Sequence, residues 1–133
     1  MVDASLQGRT FPATEPFEVT AEHVAAFAAA TGTPYAQGDP APATYPIVVA
    51  FAAMQQLMAD PSVGISLRNV VHGQQKFTYE RPVRVGDRLS AELSVTSLRQ
   101  VAGTDIIATS SRVTAEDGLV CVAEATLVHR AGA

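Results

Sequence analysis

Few side chains in this sequence are suited to moving a proton near neutral pH. The chain carries three histidines, His23, His72 and His129, and 13 acidic residues. General acid–base chemistry asks for an imidazole and a carboxylate converging on one reacting group. No histidine lies between His23 and His72, and the stretch from Thr33 to Pro46 holds a single acid, Asp39. Asp39 and His72 are therefore the candidate catalytic pair. Each also has a plainer reading. Asp39 precedes Pro40 and suits a turn in which its carboxylate bonds its own backbone. His72 opens a strand, where a backbone carbonyl can occupy its ring N–H. Thr33 has no usable pKa, and Tyr35 offers a phenol, a group type that ordinarily titrates at about 10. His23 and His129 are expected in solvent. The single cysteine, Cys121, cannot form an internal disulfide and reads as a buried, inert thiol rather than a nucleophile. No metal or cofactor is expected.

Local signals place these residues on elements. Thr20 suits an N-cap, with Glu22 in the first turn where the helix dipole favours an acid. Val24, Phe27 and Ala28 form one apolar stripe, and Gly32 followed by Pro34 ends the helix. An extended lead, Arg9 to Glu18, precedes it. The loop from Thr33 to Pro46 holds four prolines, which stiffen it. Ile47 to Ala59 is apolar almost all round and ends at Asp60-Pro61, so it reads as a helix. A helix without a polar face must be surrounded by protein, and in a chain this small a curled sheet has to surround it. The remainder reads as strands: Gln74–Arg81, then Leu89–Thr96 with a period of two, Asp105–Thr114 and Leu119–Val128, linked by turns at Ala102-Gly103 and Glu116-Asp117-Gly118. Hairpin links make the sheet antiparallel. The class is α+β, a sheet wrapped on one apolar helix, with residues 1–133 as one domain.

Composition narrows the partners. The chain has 133 residues, 47% hydrophobic, with a net charge of −4. Its basic residues are scattered, which argues against nucleic acid, whose phosphates require clustered Lys and Arg. One or two cations suffice for the phosphate of a small carrier, so that ligand class stays open. No apolar run reaches the length of about 18 to 20 residues that spans a bilayer, and residues Met1 to Thr10 lack a secretory pattern. A cytoplasmic protein is expected.

Several blocks together resemble a known family. Val71 to Leu89 (Val-His-Gly-Gln-Gln-Lys-Phe-Thr-Tyr-Glu-Arg-Pro-Val-Arg-Val-Gly-Asp-Arg-Leu) is similar to a strand–turn segment of the MaoC-like dehydratase N-terminal family. Gly103-Thr104-Asp105-Ile106-Ile107 and Val113-Thr114-Ala115-Glu116-Asp117-Gly118 resemble its last hairpins. Pro42-Ala43-Thr44-Tyr45-Pro46 resembles the opening of its central helix, and Gly8-Arg9-Thr10-Phe11-Pro12 its start. The resemblance covers nearly the whole chain and implies a single hot-dog fold. Within the family it is nearest to the non-catalytic subunit of two-subunit (3R)-hydroxyacyl thioester dehydratases.

That resemblance also implies a function and a deficit. Active members place an Asp shortly after the first helix and a His about five residues later. Here Thr33 stands at the expected Asp, no histidine follows in the loop, and the loop is shortened. The resemblance thus implies an acyl-chain-binding subunit that takes its Asp/His pair from a partner hot-dog chain, with an acyl thioester of coenzyme A or acyl carrier protein as ligand. In isolation a homodimer is expected, because hot-dog domains pair into continuous sheets. Tyr35, Thr44 and Tyr45 before the central helix, and Phe51, Met54, Gln55 and Met58 on it, are the candidate substrate-binding residues. Leu57 is a further candidate wall residue, and packing is the alternative role for each of them. Three other readings stay open. One is a self-sufficient (R)-enoyl thioester hydratase using Asp39 and His72. Another is a binding module without chemistry. The third, a thioesterase, is disfavoured because Ile47 to Ala59 contains no acid.

Overall fold

The computed structural model describes residues 2–130. Two helices and five strands follow one another: β1 (Phe17–Glu18), α1 (Ala21–Thr31), α2 (Ile47–Ala59), β2 (Val70–Tyr79), β3 (Arg88–Val101), β4 (Thr104–Ala115) and β5 (Gly118–Arg130). The strands form one antiparallel sheet in the order β1-β3-β4-β5-β2. This is the expected hot-dog arrangement, a curled sheet holding a helix.

The local signals act as anticipated. The Thr20 hydroxyl accepts from the His23 backbone N–H at 3.1 Å, capping α1, and Gly32 closes it at φ 68°. Gly32 reaches that left-handed angle without a Cβ clash. α2 has the bounds read from the sequence, since Pro46 and Asp60-Pro61 stop it locally. The Ala102-Gly103 turn joins β3 to β4 with both residues at positive φ, 50° and 79°. A two-residue turn of this hand matches the twist of the flanking strands.

Three expectations need correction. First, the extended lead forms only the two-residue β1 and an isolated Thr10–Ser94 bridge. Pro12 and Pro16 have no N–H to give, so the lead touches β3 only at intervals, through Gly8 to Val95, Phe11 to Leu93 and Thr14 to Ala91. Second, β2 begins at Val70 rather than Gln74. The register slips between His72 and Gln74, and this bulge at Gly73 breaks the alternation that would have revealed the strand. Third, α2 is not enclosed on every side.

The core explains that third point. From β3, Leu89, Ala91, Leu93 and Val95 point inward, meeting Ile107 and Val113 of β4. α2 lies over β3 and β4 and buries Val49, Ala50, Ala53, Met54 and Leu57. Small residues at Ala50 and Ala53 let the helix approach the sheet closely. The opposite face keeps Phe51 45% exposed and Gln55 exposed as well. A sheet of this width covers one side of a helix about 10 Å across, so an all-apolar helix retains an uncovered stripe. The sheet is similarly lopsided. The N-terminal lead covers the β3 edge, whereas β2 pairs only with β5 and leaves its other edge open.

Candidate functional site

Beside the start of α2 lies a cleft of about 600 Å³, lined by Phe27 and Thr31 of α1, Thr44, Ile47, and His72 to Gln75 with Phe77 of β2. Each wall has a local cause. The α1 stripe delivers Phe27, the proline-rich loop delivers Thr44, and strand alternation puts Gln75 and Phe77 on one face of β2. The lining combines three large apolar side chains with hydroxyls, amides and one imidazole. It includes no carboxylate.

His72 thus reaches the cleft, but Asp39 does not. The Asp39 carboxylate accepts the Ala36 backbone N–H at 2.9 Å in an exposed turn, and the residue is absent from the cleft lining. Thr44 lines the cleft. Its neighbour Tyr45 is fully buried and does not line the cleft; its hydroxyl meets His23 Nδ1 at 2.7 Å and its ring packs edge-on behind the cleft residue Phe27 at 5.2 Å. Burial pushes the Tyr45 phenol up to about 12. Tyr35 is half-buried, with a hydroxyl that has no partner among the described residues. On α2, Met54 is packed into the core, Leu57 likewise, Met58 is half-buried against it, and Phe51 and Gln55 face outward. Phe27, Thr31, Ile47, Gln74, Gln75 and Phe77 were not singled out as lining residues. The bulge at Gly73 puts His72 on the face of Gln75 and Phe77, a grouping that strict alternation from His72 would miss. Gln75 has a buried Oε1 without a partner among the described residues, so the cleft wall holds an acceptor in want of a donor.

The backbone around the α2 start is largely committed. The N–H groups of Tyr45, Ile47 and Val48 donate to Pro42, Thr44 and Tyr45 carbonyls. No side chain caps this helix. Tyr79 of β2 donates its hydroxyl to the Ala43 carbonyl, which ties the loop to the sheet.

A carboxylate and an imidazole do meet, but elsewhere. Asp105 and His129 stand directly opposite each other on β4 and β5, both buried, with Oδ2 2.8 Å from Nδ1. His129 was expected in solvent. Instead β5 runs to Arg130, and the strand period turns residue 129 inward. Its Nε2 accepts the Ser66 backbone N–H at 3.0 Å, so the ring proton lies on Nδ1 and is donated to Asp105. Asp105 also accepts from the Val2 backbone N–H and from Gln100 Nε2. Burial alone would raise the Asp105 carboxyl. The hydrogen bonds from His129, Gln100 and Val2 outweigh it and hold the group below the usual range. With both ring nitrogens occupied, this pair clamps Val2 and the Ser66 turn to the sheet. Neither Asp105 nor His129 lines the cleft. His23 is exposed as expected, though held by Tyr45. Cys121 is buried, its thiol pushed up to about 11 by desolvation, which suits an inert role.

Among the described residues no three His, Cys, Asp or Glu side chains group as a metal site, and no helix is long and apolar enough to cross a membrane.

Comparison with known proteins agrees with the architecture. Residues 5–124 match the family described as the FAS1-like, dehydratase domain region. A UPF0336 protein of Streptomyces avermitilis is 38% identical over 98% of this chain and 96% of its own length. Another, from Clavibacter michiganensis, is 39% identical over 97% and 96%. Among solved structures, the C-terminally truncated HadBC (3R-hydroxyacyl-ACP dehydratase) complex of Mycobacterium tuberculosis aligns with a TM-score of 0.81 and 27% identity, covering 92% of this chain and 96% of that one. A protein described as a MaoC-like dehydratase aligns at TM-score 0.79 and 25% identity, covering 96% of this chain and 43% of its own. The alignment with the Streptomyces avermitilis relative spans 144 positions, so at least 11 positions of that relative have no counterpart in these 133 residues. A sheet and helix of this geometry, matched along nearly their whole length, place the chain in the FAS1-like dehydratase-region family, with a MaoC-like hot-dog fold.

Proposed function

We propose that this chain is a non-catalytic, acyl-binding subunit of an (R)-specific enoyl or 3-hydroxyacyl thioester hydratase-dehydratase, completed by a hot-dog partner that brings an Asp/His pair. The observation that carries this reading is the composition of the cleft: an imidazole, amides and hydroxyls on apolar walls, with no carboxylate among its lining residues. Moving a proton at the α-carbon of a thioester while holding a water requires two groups, one acidic and one basic. Here His72 stands without a counterpart, and the only buried carboxylate–imidazole contact among the described residues is spent on the fold. The bonded amides around the α2 start further reduce the donors free to polarise a thioester carbonyl. The open edge of β2 and the uncovered Phe51 stripe supply the kind of surface on which a second hot-dog chain continues the sheet.

In this reading Phe27, Ile47 and Phe77 receive the apolar chain, and Thr44 and Gln75 meet the polar part of the thioester. The carrier is coenzyme A or acyl carrier protein, and the setting is cytoplasmic fatty acyl metabolism. The test is direct. The purified chain alone should not hydrate crotonyl or longer enoyl thioesters, whereas mixing it with a dyad-bearing hot-dog partner should raise turnover above that of the partner alone. Enzymatic turnover by the isolated chain would sink the proposal.

One observation favours a second reading, a self-sufficient hydratase: His72 does line the cleft. If that reading held, His72→Gln and Asp39→Asn would each abolish turnover by the isolated chain.

A further inference from the structure

The outer face of the sheet, turned away from α2, carries a separate groove of about 360 Å³ lined by Arg68, Asn69, Val71, Thr104, Val128 and Arg130. Strand register assembles it. Val128 of β5 stands beside Val71 of β2 and Ile106 of β4, and Arg130 stands beside Thr104. These residues alternate with Leu127 and His129, which point into the core, so the groove lies behind the sheet and not in the cleft. Arg99 of β3 pairs with Ile106 and adds a third guanidinium to the same end.

The charge balance here opposes that of the whole chain. Three of nine basic residues gather at one end of a protein whose net charge is −4. The one acid in these strand segments, Asp105, faces inward. The ion pairs among the described residues involve Arg9, Arg81 and His129, not these three arginines. Arg68 and Arg130 offer planar forks of donors, Asn69 an amide and Thr104 a hydroxyl, a set suited to a tetrahedral oxyanion. The floor is aliphatic, with Val71 65% exposed, and no aromatic ring is present for a nucleobase to stack upon.

We propose that this groove binds the phosphate of an aliphatic phosphate ester. The identity of that ester rests on the proposed function: it is the phosphate-bearing arm that carries the acyl thioester, either free or attached to a carrier protein.

The experiment is an NMR titration of the whole chain with 4′-phosphopantetheine, with pantetheine and inorganic phosphate as controls, following the amides of Val71, Thr104 and Val128. Saturable shifts at these amides with the phosphate ester, weak shifts with inorganic phosphate and none with pantetheine are expected. Arg68→Gln with Arg130→Gln should weaken binding about tenfold or more, the scale of a lost charge-assisted contact. Val71→Asp, at an exposed position that leaves both arginines intact, should weaken it likewise and guards against misfolding of the double variant. Equal binding by these variants, binding of pantetheine at the same amides, or no saturable shift at millimolar ligand would overturn the proposal. Shifts induced by a holo-carrier protein but not by its unmodified form would identify the protein-borne arm as the source. An acyl-pantetheine lacking phosphate, monitored at Thr44 and Phe77, separates the two proposals. If it binds the cleft while 4′-phosphopantetheine leaves the groove silent, only the groove assignment falls. If the groove takes the phosphate ester while the cleft takes no acyl chain, the acyl-binding reading falls and the phosphate site stands.

Discussion

Replacing Asp105 by Ala should destabilise the protein without altering any chemistry it supports. The carboxylate is 0% exposed and receives the His129 Nδ1 proton at 2.8 Å, the Gln100 amide at 2.9 Å and the Val2 N–H at 3.0 Å. Alanine removes every acceptor at once and leaves three donors facing a small cavity. Water can reach Gln100, which is exposed, but not the imidazole, which is 3% exposed. Stranding a buried neutral donor by deleting its acceptor costs about 1 to 3 kcal/mol, and here the stranded donor is the imidazole. For a chain of this size that is a fall in Tm on the order of 10 °C. Urea denaturation followed by circular dichroism measures it. The acyl-thioester affinity of the folded variant, and its effect on a catalytic partner, should match those of the unmodified chain. A variant with unchanged stability but lost activity in the partner mixture would refute the structural assignment and make this pair a proton relay.

Other outcomes follow from the same geometry. Because the folded Asp105 carboxyl lies below its unfolded value of about 3.9, its stabilising contribution is complete above that pH and is lost as the pH falls through the lower folded value. The stability gap between the unmodified chain and Asp105→Ala should therefore narrow in urea titrations below about pH 4. Tyr45→Phe should cost about 1 kcal/mol by removing the bond to His23, and a double-mutant cycle with His23→Ala should return a coupling of similar size; strict additivity would show that the contact contributes nothing. Ala102→Gly should stabilise the β3–β4 hairpin by about 0.5 to 1 kcal/mol, since Ala102 holds φ 50° where a Cβ is unfavourable, and an unchanged urea midpoint would argue against strain there.

Much of the architecture was written locally. The bounds of α2 follow from Pro46 and Asp60-Pro61, the α1 caps from Thr20 and Gly32, and the hairpins from Ala102-Gly103 and Glu116-Asp117. Each signal acts within a few residues, so no distant contact could override it. The shortage of proton-transferring groups before α2 was equally plain, because a side chain that is not encoded cannot be supplied by folding. What the sequence could not reveal depended on strand register and on cover from distant segments. The bulge at Gly73 decided which residues of β2 enter the cleft. The pairing of β4 with β5 drew Asp105 and His129 together across 24 positions and turned an expected solvent histidine into a buried clamp. The pairing of β2 with β5 gathered Arg68 and Arg130, scattered in the chain, at one groove. Composition gave α2 its apolar surface all round, but only the width of the folded sheet determined that Phe51 would stay uncovered.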